Sequence, residues 1–289
     1  MSLPGRFVDT TAGRVFVASQ GPPAGTATEK GPPILLLHGF MLSHWVWRDV
    51  LALLPKDREV WSVDLPGFGE SDRPDPAQFA YDLPAYAALV EELLGHLGAD
   101  TVDLVGHSMG GGVALTLAAR YPKRVGRVVA ISPAILPLPL PPEGKILLTP
   151  GVGQFLWKTF VTKEQMRRMM LRDHFRDPRP VTEAFVDYYW SRLNRAGGRE
   201  ASYAALRTLG TASALNPDIE AVSAPTLLVF PDEDRVVPLP LGRELLRRIP
   251  GARLEILPAC GHNAQLERPD ELVRIFTPFL ERRGVASAA

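Results

Sequence analysis

VDLVGHSMGGGVALTLAARYP, residues 102–122, joins a short apolar run, a knot of glycines around one serine, and an alanine- and leucine-rich stretch that stops at Pro122. The apolar run has the pattern of a strand buried on both faces, and the stretch after the glycines has helical composition. Ser108 therefore stands at the seam between two regular elements. Gly106-His107-Ser108-Met109-Gly110 fits G-x-S-x-G in the strand–turn–helix context that gives the motif chemical meaning. A serine held in a strained turn of positive φ projects its hydroxyl outward, and residues two before and two after it come too close for side chains. Gly106 and Gly110 would relieve that crowding. The Met109 N–H then opens a helix, where unpaired donors and the dipole favour developing negative charge. The alternatives are a turn that merely packs tightly or a phosphate cradle; a P-loop needs a lysine after its glycines, and none is present.

Working outward, Ile34 to Leu37, Glu59 to Val63, Val128 to Ile131, Thr226 to Phe230 and Leu254 to Leu257 repeat the short apolar run expected of doubly buried strands. Two earlier strands are expected at Arg6 to Asp9 and Val15 to Ser19, with the polar Gly/Pro-rich residues 21–33 as a loop. Helical spacing separates the runs: Tyr86, Leu89, Val90, Leu93, Leu94 and Leu97 follow a cap at Asp82 and stop at Gly98. Further helices are expected over Val113 to Arg120, Leu241 to Arg248 and around Glu271 to Phe276, the last kinked or ended by Pro278. Strand and helix alternating in this way predict an α/β fold with a doubly wound, mostly parallel sheet.

Between Ile131 and Thr226 the alternation fails. A proline-rich exit leads to Thr162-Lys-Glu-Gln165, a capping box opening a helix with Met166, Met169, Met170 and Phe175, and a second helix is expected from Thr182 to Asn194. Residues 134–215 are read as a helical cap inserted into a core of 1–133 and 216–289.

The chain is long enough, at 289 residues with 46% hydrophobic content, to bury a full core in one large domain carrying an insertion. Its 32 basic and 32 acidic residues cancel, so no global field draws it to nucleic acid or an anionic membrane. The N-terminus lacks the pattern of a signal peptide, and no stretch is apolar for the ~20 residues that span a bilayer; the expectation is a soluble, cytoplasmic protein. A lone Cys260 excludes an internal disulfide framework and any multi-cysteine metal site.

A serine hydroxyl needs a base, and the base an orienting acid. Of six histidines, His96 falls inside a helix, His174 inside the cap, and His107, next to Ser108 in sequence, is expected to point away from it. His262 lies in a loop directly after the last strand, where a doubly wound sheet presents residues at its C-terminal edge. The loop after Thr226 to Phe230 offers Asp232, Glu233 and Asp234, and spacing alone does not choose among them. The order Ser, acid, His is met at successive strand ends.

At this point the chain resembles the α/β-hydrolase superfamily, in its serine-dependent, cap-bearing branch, over nearly its whole length. His38-Gly39-Phe40 is similar to the oxyanion turn, Asp64 to Ser71 to the D-x-P-G-x-G-x-S loop, Gly106 to Gly110 to the nucleophile elbow, Asp234 to Pro238 to the acid loop, and Gly261-His262 with Glu267 to Pro269 to the histidine loop. Pro231 stands where the family usually has glycine, three residues before the acid. The resemblance implies an eight-stranded sheet, Ser108 as nucleophile, Asp234 as acid, His262 as base, the N–H groups of Phe40 and Met109 as oxyanion hole, and no metal or organic cofactor. Asp64 and His38 are expected to shape their loops. Serine at the elbow argues against the haloalkane dehalogenases and epoxide hydrolases of the same fold.

The implied activity is hydrolysis of a small to medium, apolar carboxylic ester through an acyl-enzyme. The alternatives are a meta-cleavage-type carbon–carbon hydrolase, a lactonase or perhydrolase with the same triad, or a ligand receptor on the hydrolase scaffold.

Overall fold

A computed structural model describes residues 3–22, 31–138, 142–149, 151–211 and 219–281. The apolar runs assemble into one sheet. Its strands are β1 (Gly5–Thr10), β2 (Gly13–Gln20), β3 (Ile34–Leu37), β4 (Val60–Val63), β5 (Val102–His107), β6 (Val125–Ile131), β7 (Thr226–Pro231) and β8 (Arg253–Leu257), ordered β1-β2-β4-β3-β5-β6-β7-β8. β2 pairs antiparallel with β1 and β4, and every other pairing is parallel. The parallel centre of the sheet is therefore β4-β3-β5-β6-β7. Every residue of β3, β4, β5 and β7 is buried, which is why these strands read as unbroken apolar runs.

β8 departs from the expectation. Only Leu257 is buried in it, whereas Arg253, Glu255 and Ile256 are exposed. β8 has a single neighbour, β7, and alternating charge blunts its open edge. A short apolar run does not distinguish an edge strand from a central one.

The helices outside the insertion are α1 (Arg48–Leu53), α2 (Leu83–Leu97), α3 (Met109–Arg120), α9 (Leu239–Arg248), α10 (Ala264–Glu267) and α11 (Pro269–Glu281). Asp82 caps α2 through the Ala85 N–H, and Gly98 ends it in the left-handed region at φ 74°. α11 continues past Pro278. The helix is not ended there: Phe279 and Leu280 beyond it are buried, and their packing outweighs the hydrogen bond that proline forfeits.

Between β6 and β7 the described chain forms α4 (Pro142–Leu147), α5 (Val152–Phe160), α6 (Lys163–Met169), a π-helical turn at Met170–His174, α7 (Glu183–Leu193) and α8 (Gly198–Gly210). The capping box at Thr162 and Gln165 is formed, and Thr182 caps α7. Sequence periodicity does not reveal α5 and α8; they pack on each other, Trp157 donating to Ser202 Oγ at 2.9 Å. The expected boundary at 215/216 and most of the 21–33 loop lie outside the described residues.

Candidate active site

Five strand ends converge on one cavity of about 210 Å³. Phe40 to Leu42 follow β3, Ser108 follows β5, Ala134 follows β6, Val236 follows β7, and His262 with Asn263 follows β8. The inserted helices close it with Met169, Met170, His174 and Phe175 on one side and Leu206, Leu209 and Gly210 on another. The parallel register of β3, β5, β6 and β7 brings these ends to one edge of the sheet.

Ser108 has φ 53° and ψ −118°, a conformation rarely held by a residue with a side chain, and it stands between β5 and α3. The reason for its glycine neighbours is steric. A Cβ on Gly106 would lie 2.3 Å from Gly110 O, and one on Gly110 2.3 Å from Leu37 O. The turn is fastened at Ser108, whose N–H donates to Ile131 O at 2.9 Å and whose carbonyl accepts from Ala134 at 2.9 Å. The Met109 N–H opens α3, and the Phe40 N–H lies on the neighbouring turn; neither donates to a described residue.

Of the three acids after β7, Asp234 reaches the histidine. His262 Nδ1 donates to Asp234 Oδ2 at 2.8 Å, and both residues are buried. Oδ1 of the same carboxylate accepts from the Val236 N–H at 2.8 Å and the Val237 N–H at 2.9 Å. Burial pushes the Asp234 carboxyl up, but the charge and hydrogen bond of His262 and the Val237 N–H outweigh it, and the net displacement is below the ordinary carboxylate value. A carboxylate so held keeps the proton of His262 on Nδ1 and leaves Nε2 with a lone pair. Asp232 instead accepts from the Cys260 N–H at 3.4 Å, and Glu233 pairs with Arg176. Pro231 ends β7 and still pairs with Leu257.

A second buried set lies behind the Phe40 turn. Asp64 Oδ2 accepts from His44 Nδ1 at 2.8 Å and from the Glu70 N–H at 2.7 Å, and Oδ1 accepts from the His44 N–H at 2.5 Å. His38 Nδ1 donates to Gly39 O at 2.7 Å, and its Nε2 accepts from the Leu65 N–H at 3.0 Å. The Asp64 to Ser71 loop thus braces the His38 to Phe40 turn.

The sequence profile of the alpha/beta hydrolase fold matches residues 32–269. This chain is a member of the alpha/beta hydrolase family. It is 31% identical over 269 residues to a 2-hydroxymuconate semialdehyde hydrolase of Pseudomonas sp. (strain CF600), covering 89% of each chain. It is 30% identical over 264 residues to a 2-hydroxy-6-oxo-6-phenylhexa-2,4-dienoate hydrolase of Comamonas testosteroni, covering 88% of this chain and 89% of that one. Among solved structures it is similar to a mutant of a meta-cleavage product hydrolase from Pseudomonas fluorescens IP01 complexed with acetates, with a TM-score of 0.78, 26% identity and coverage of 96% of this chain and 97% of that one.

One histidine of this alpha/beta hydrolase stands elsewhere than expected. His107 does not point away: it lines the cavity, its Nε2 donates to the carbonyl oxygen of His262 at 2.9 Å, and the two ring centroids are 4.6 Å apart. His174 also lines the cavity, 5.7 Å from the His262 ring and nearly perpendicular to it. Neither was legible, because the contacts cross 155 residues in one case and 88 in the other. Among the described residues no three His, Cys, Asp or Glu side chains are grouped to hold a metal ion, and no helix is long and apolar enough to cross a membrane.

Proposed function

We propose that this hydrolase cleaves an apolar carbonyl substrate through a covalent acyl-enzyme on Ser108. His262 Nε2 takes the proton of Ser108 as Oγ bonds to the carbonyl carbon, and the carbonyl electrons move to oxygen, which the N–H groups of Phe40 and Met109 receive. Collapse breaks the bond to the leaving group, which leaves with the proton from His262. Water then repeats the sequence and releases the acid. Asp234 holds the tautomer and orientation of His262 throughout. The helices of residues 134–215 act as a cap that excludes water and shapes the acyl site. The observation that carries this reading is the Asp234–His262 hydrogen bond together with Ser108 and His262 lining one largely apolar cavity.

For the bond that is cleaved, the relatives named above favour carbon–carbon hydrolysis of a vinylogous diketone over the ester cleavage expected from sequence. Ester hydrolysis stands as the second reading on one observation: no lysine or arginine is among the described residues lining the cavity, so no permanently charged side chain described there pairs with a dienoate carboxylate. The two are separated by measuring kcat/KM for 2-hydroxy-6-oxo-6-phenylhexa-2,4-dienoate beside p-nitrophenyl esters of graded acyl length, with Ser108→Ala as control. Preference for the dienoate supports carbon–carbon cleavage, and preference for the esters reverses the assignment. Folded protein that turns over neither, and takes no fluorophosphonate label at Ser108, would remove the proposal altogether.

A further inference from the structure

The polar side chains lining the cavity are His107, Ser108, His174, His262 and Asn263. Most of their hydrogen-bonding atoms are already engaged. His107 uses Nε2 on His262 O and Nδ1 on Gln265. Asn263 donates through Nδ2 to His174 O and accepts at Oδ1 from Gln265. Ser108 Oγ and His262 Nε2 are the reacting pair of the proposed mechanism. One polar atom is left over, His174 Nε2, which makes no hydrogen bond to any described residue.

The backbone around His174 is firmly anchored. His174 ends the π-helical turn, a geometry concentrated at functional positions. That turn and the residues just after it are tied to both loops of the site: Arg235 Nη1 donates to Arg172 O at 2.9 Å, the Asn263 N–H and Nδ2 both donate to His174 O at 3.3 Å, and the Arg176 and Asp177 N–H groups donate to Glu267 Oε2 at 3.0 and 2.9 Å. The ring itself is oriented by Nδ1 facing Met169 O at 3.4 Å. A carbonyl oxygen only accepts, so Nδ1 carries the proton and Nε2 is an acceptor. Burial, then the neighbouring His262, bring the imidazole down to a pKa of about 4, which keeps it neutral at neutral pH.

The geometry points to His174 as a specificity-determining residue whose Nε2 accepts a hydrogen bond from a hydroxyl of the substrate, so that the preferred substrates are apolar carbonyl compounds bearing a hydroxyl near the scissile carbonyl. His174 is only partly buried and its Nε2 is not among the sealed unpartnered atoms, so a hydrocarbon ligand that covers it leaves an acceptor without a donor, whereas a hydroxyl of the same shape supplies one. The hydroxyl belongs to the acyl side or to the leaving group, since the His174 ring stands beside His262 and the covering helices at once. The inference rests on the proposed function only for the position of the reacting carbonyl.

The test is binding rather than turnover, so that it survives failure of the proposed chemistry. Calorimetric titration of the Ser108→Ala protein would compare two matched pairs: ethyl 3-hydroxybutanoate with ethyl 3-methylbutanoate, and 2-hydroxyethyl butanoate with propyl butanoate. At least one hydroxylated member is expected to bind about tenfold or more tightly than its twin. Adding His174→Leu should bring that ratio to within about twofold of unity, while His174→Gln, which keeps an acceptor oxygen, should retain part of it. His174→Phe replaces the leucine variant if that does not fold. A ratio below about twofold for both pairs, or one that survives loss of the imidazole, overturns the inference. A missing fluorophosphonate label at Ser108 in wild-type protein would instead overturn the mechanism and leave this result standing.

Discussion

His107 Nε2 lies 2.9 Å from the carbonyl oxygen of His262, so the residue preceding Ser108 holds the main chain of His262. Elbow and histidine loop are thereby one unit, although 155 residues separate them. His107→Ala should lower kcat by about 10- to 100-fold with a smaller change in KM, because the reacting groups lose alignment while the apolar cavity persists. His107→Gln, whose amide can donate to the same carbonyl, should recover part of the loss. Steady-state kinetics on a common substrate checks both, and an unchanged kcat in the alanine variant refutes the coupling.

Asp234→Asn should cost on the order of 10⁴ in turnover, because an amide NH2 facing Nδ1 favours the wrong imidazole tautomer. Near-normal activity would transfer the role to Asp232 or Glu233, neither of which contacts His262 in this fold.

The Asp64–His44 pair is fully buried. Burial pushes the Asp64 carboxyl up, the hydrogen bond and charge of His44 pull it further down, and the result is a carboxylate held ionised. Asp64→Ala should destabilise the fold by about 3–5 kcal/mol, as expected when one partner of a buried pair is removed. Urea unfolding measures this, and a loss below about 1 kcal/mol would place the pair among dispensable contacts.

Two glycine substitutions should diverge. A Cβ at Gly110 meets Leu37 O and His38 O at 2.3 and 2.6 Å, both backbone at the end of β3, whereas a Cβ at Gly95 within α2 meets nothing within 4 Å. Gly95→Ala should raise stability by about 0.5–1 kcal/mol. Gly110→Ala should lower it by about 1–3 kcal/mol and suppress activity. Thermal melts of the two variants beside wild type decide it; equal melts would contradict the packing argument.

Acid should weaken the fold before carboxylates titrate. Burial holds His38, His107 and His174 below the ordinary histidine value, His107 well below it and His174 at about 4. Unfolded, each takes up a proton near ~6.5, so below that value the unfolded chain binds more protons than the native one, and stability rises with pH. The Tm should therefore fall as pH drops from about 7 toward 5, and His107→Gln should flatten that slope. A flat wild-type profile would contradict neutral burial of these rings.

Much of this architecture was readable because parallel strands buried on both faces have no polar alternation: β3 and β5 announce themselves as Ile-Leu-Leu-Leu and Val-Asp-Leu-Val, and the glycines around Ser108 mark the turn between strand and helix. β8 reads as buried when it is not, because apolar composition carries no information about neighbours. α5 escapes because Phe155 and Phe160 face outward while Gly153 and Trp157 pack, and α8 because most of its buried face is small, Gly198, Ala201, Ser202 and Ala205 carrying little apolar signal. At the site, chain order leads to Ser108 and His262, but spacing leaves three acids open; the loop's path selects Asp234 for contact by turning its Oδ1 onto two N–H groups. The roles of His107 and His174 depend on rotamers and long-range contacts that one-dimensional order does not encode.

The π-turn at Met170–His174 has a consequence for engineering. Together with Arg176 just beyond it, it borrows Asn263, Glu267 and Arg235 from the scaffold, so the insertion is not a cassette that can be exchanged whole. Grafting a foreign set of helices between β6 and β7 would strip the His262 loop of contacts it shares with residues 172–177. Chimeras that keep this segment and vary α5 and α8 alone retain the junction, and libraries aimed at new substrates belong there.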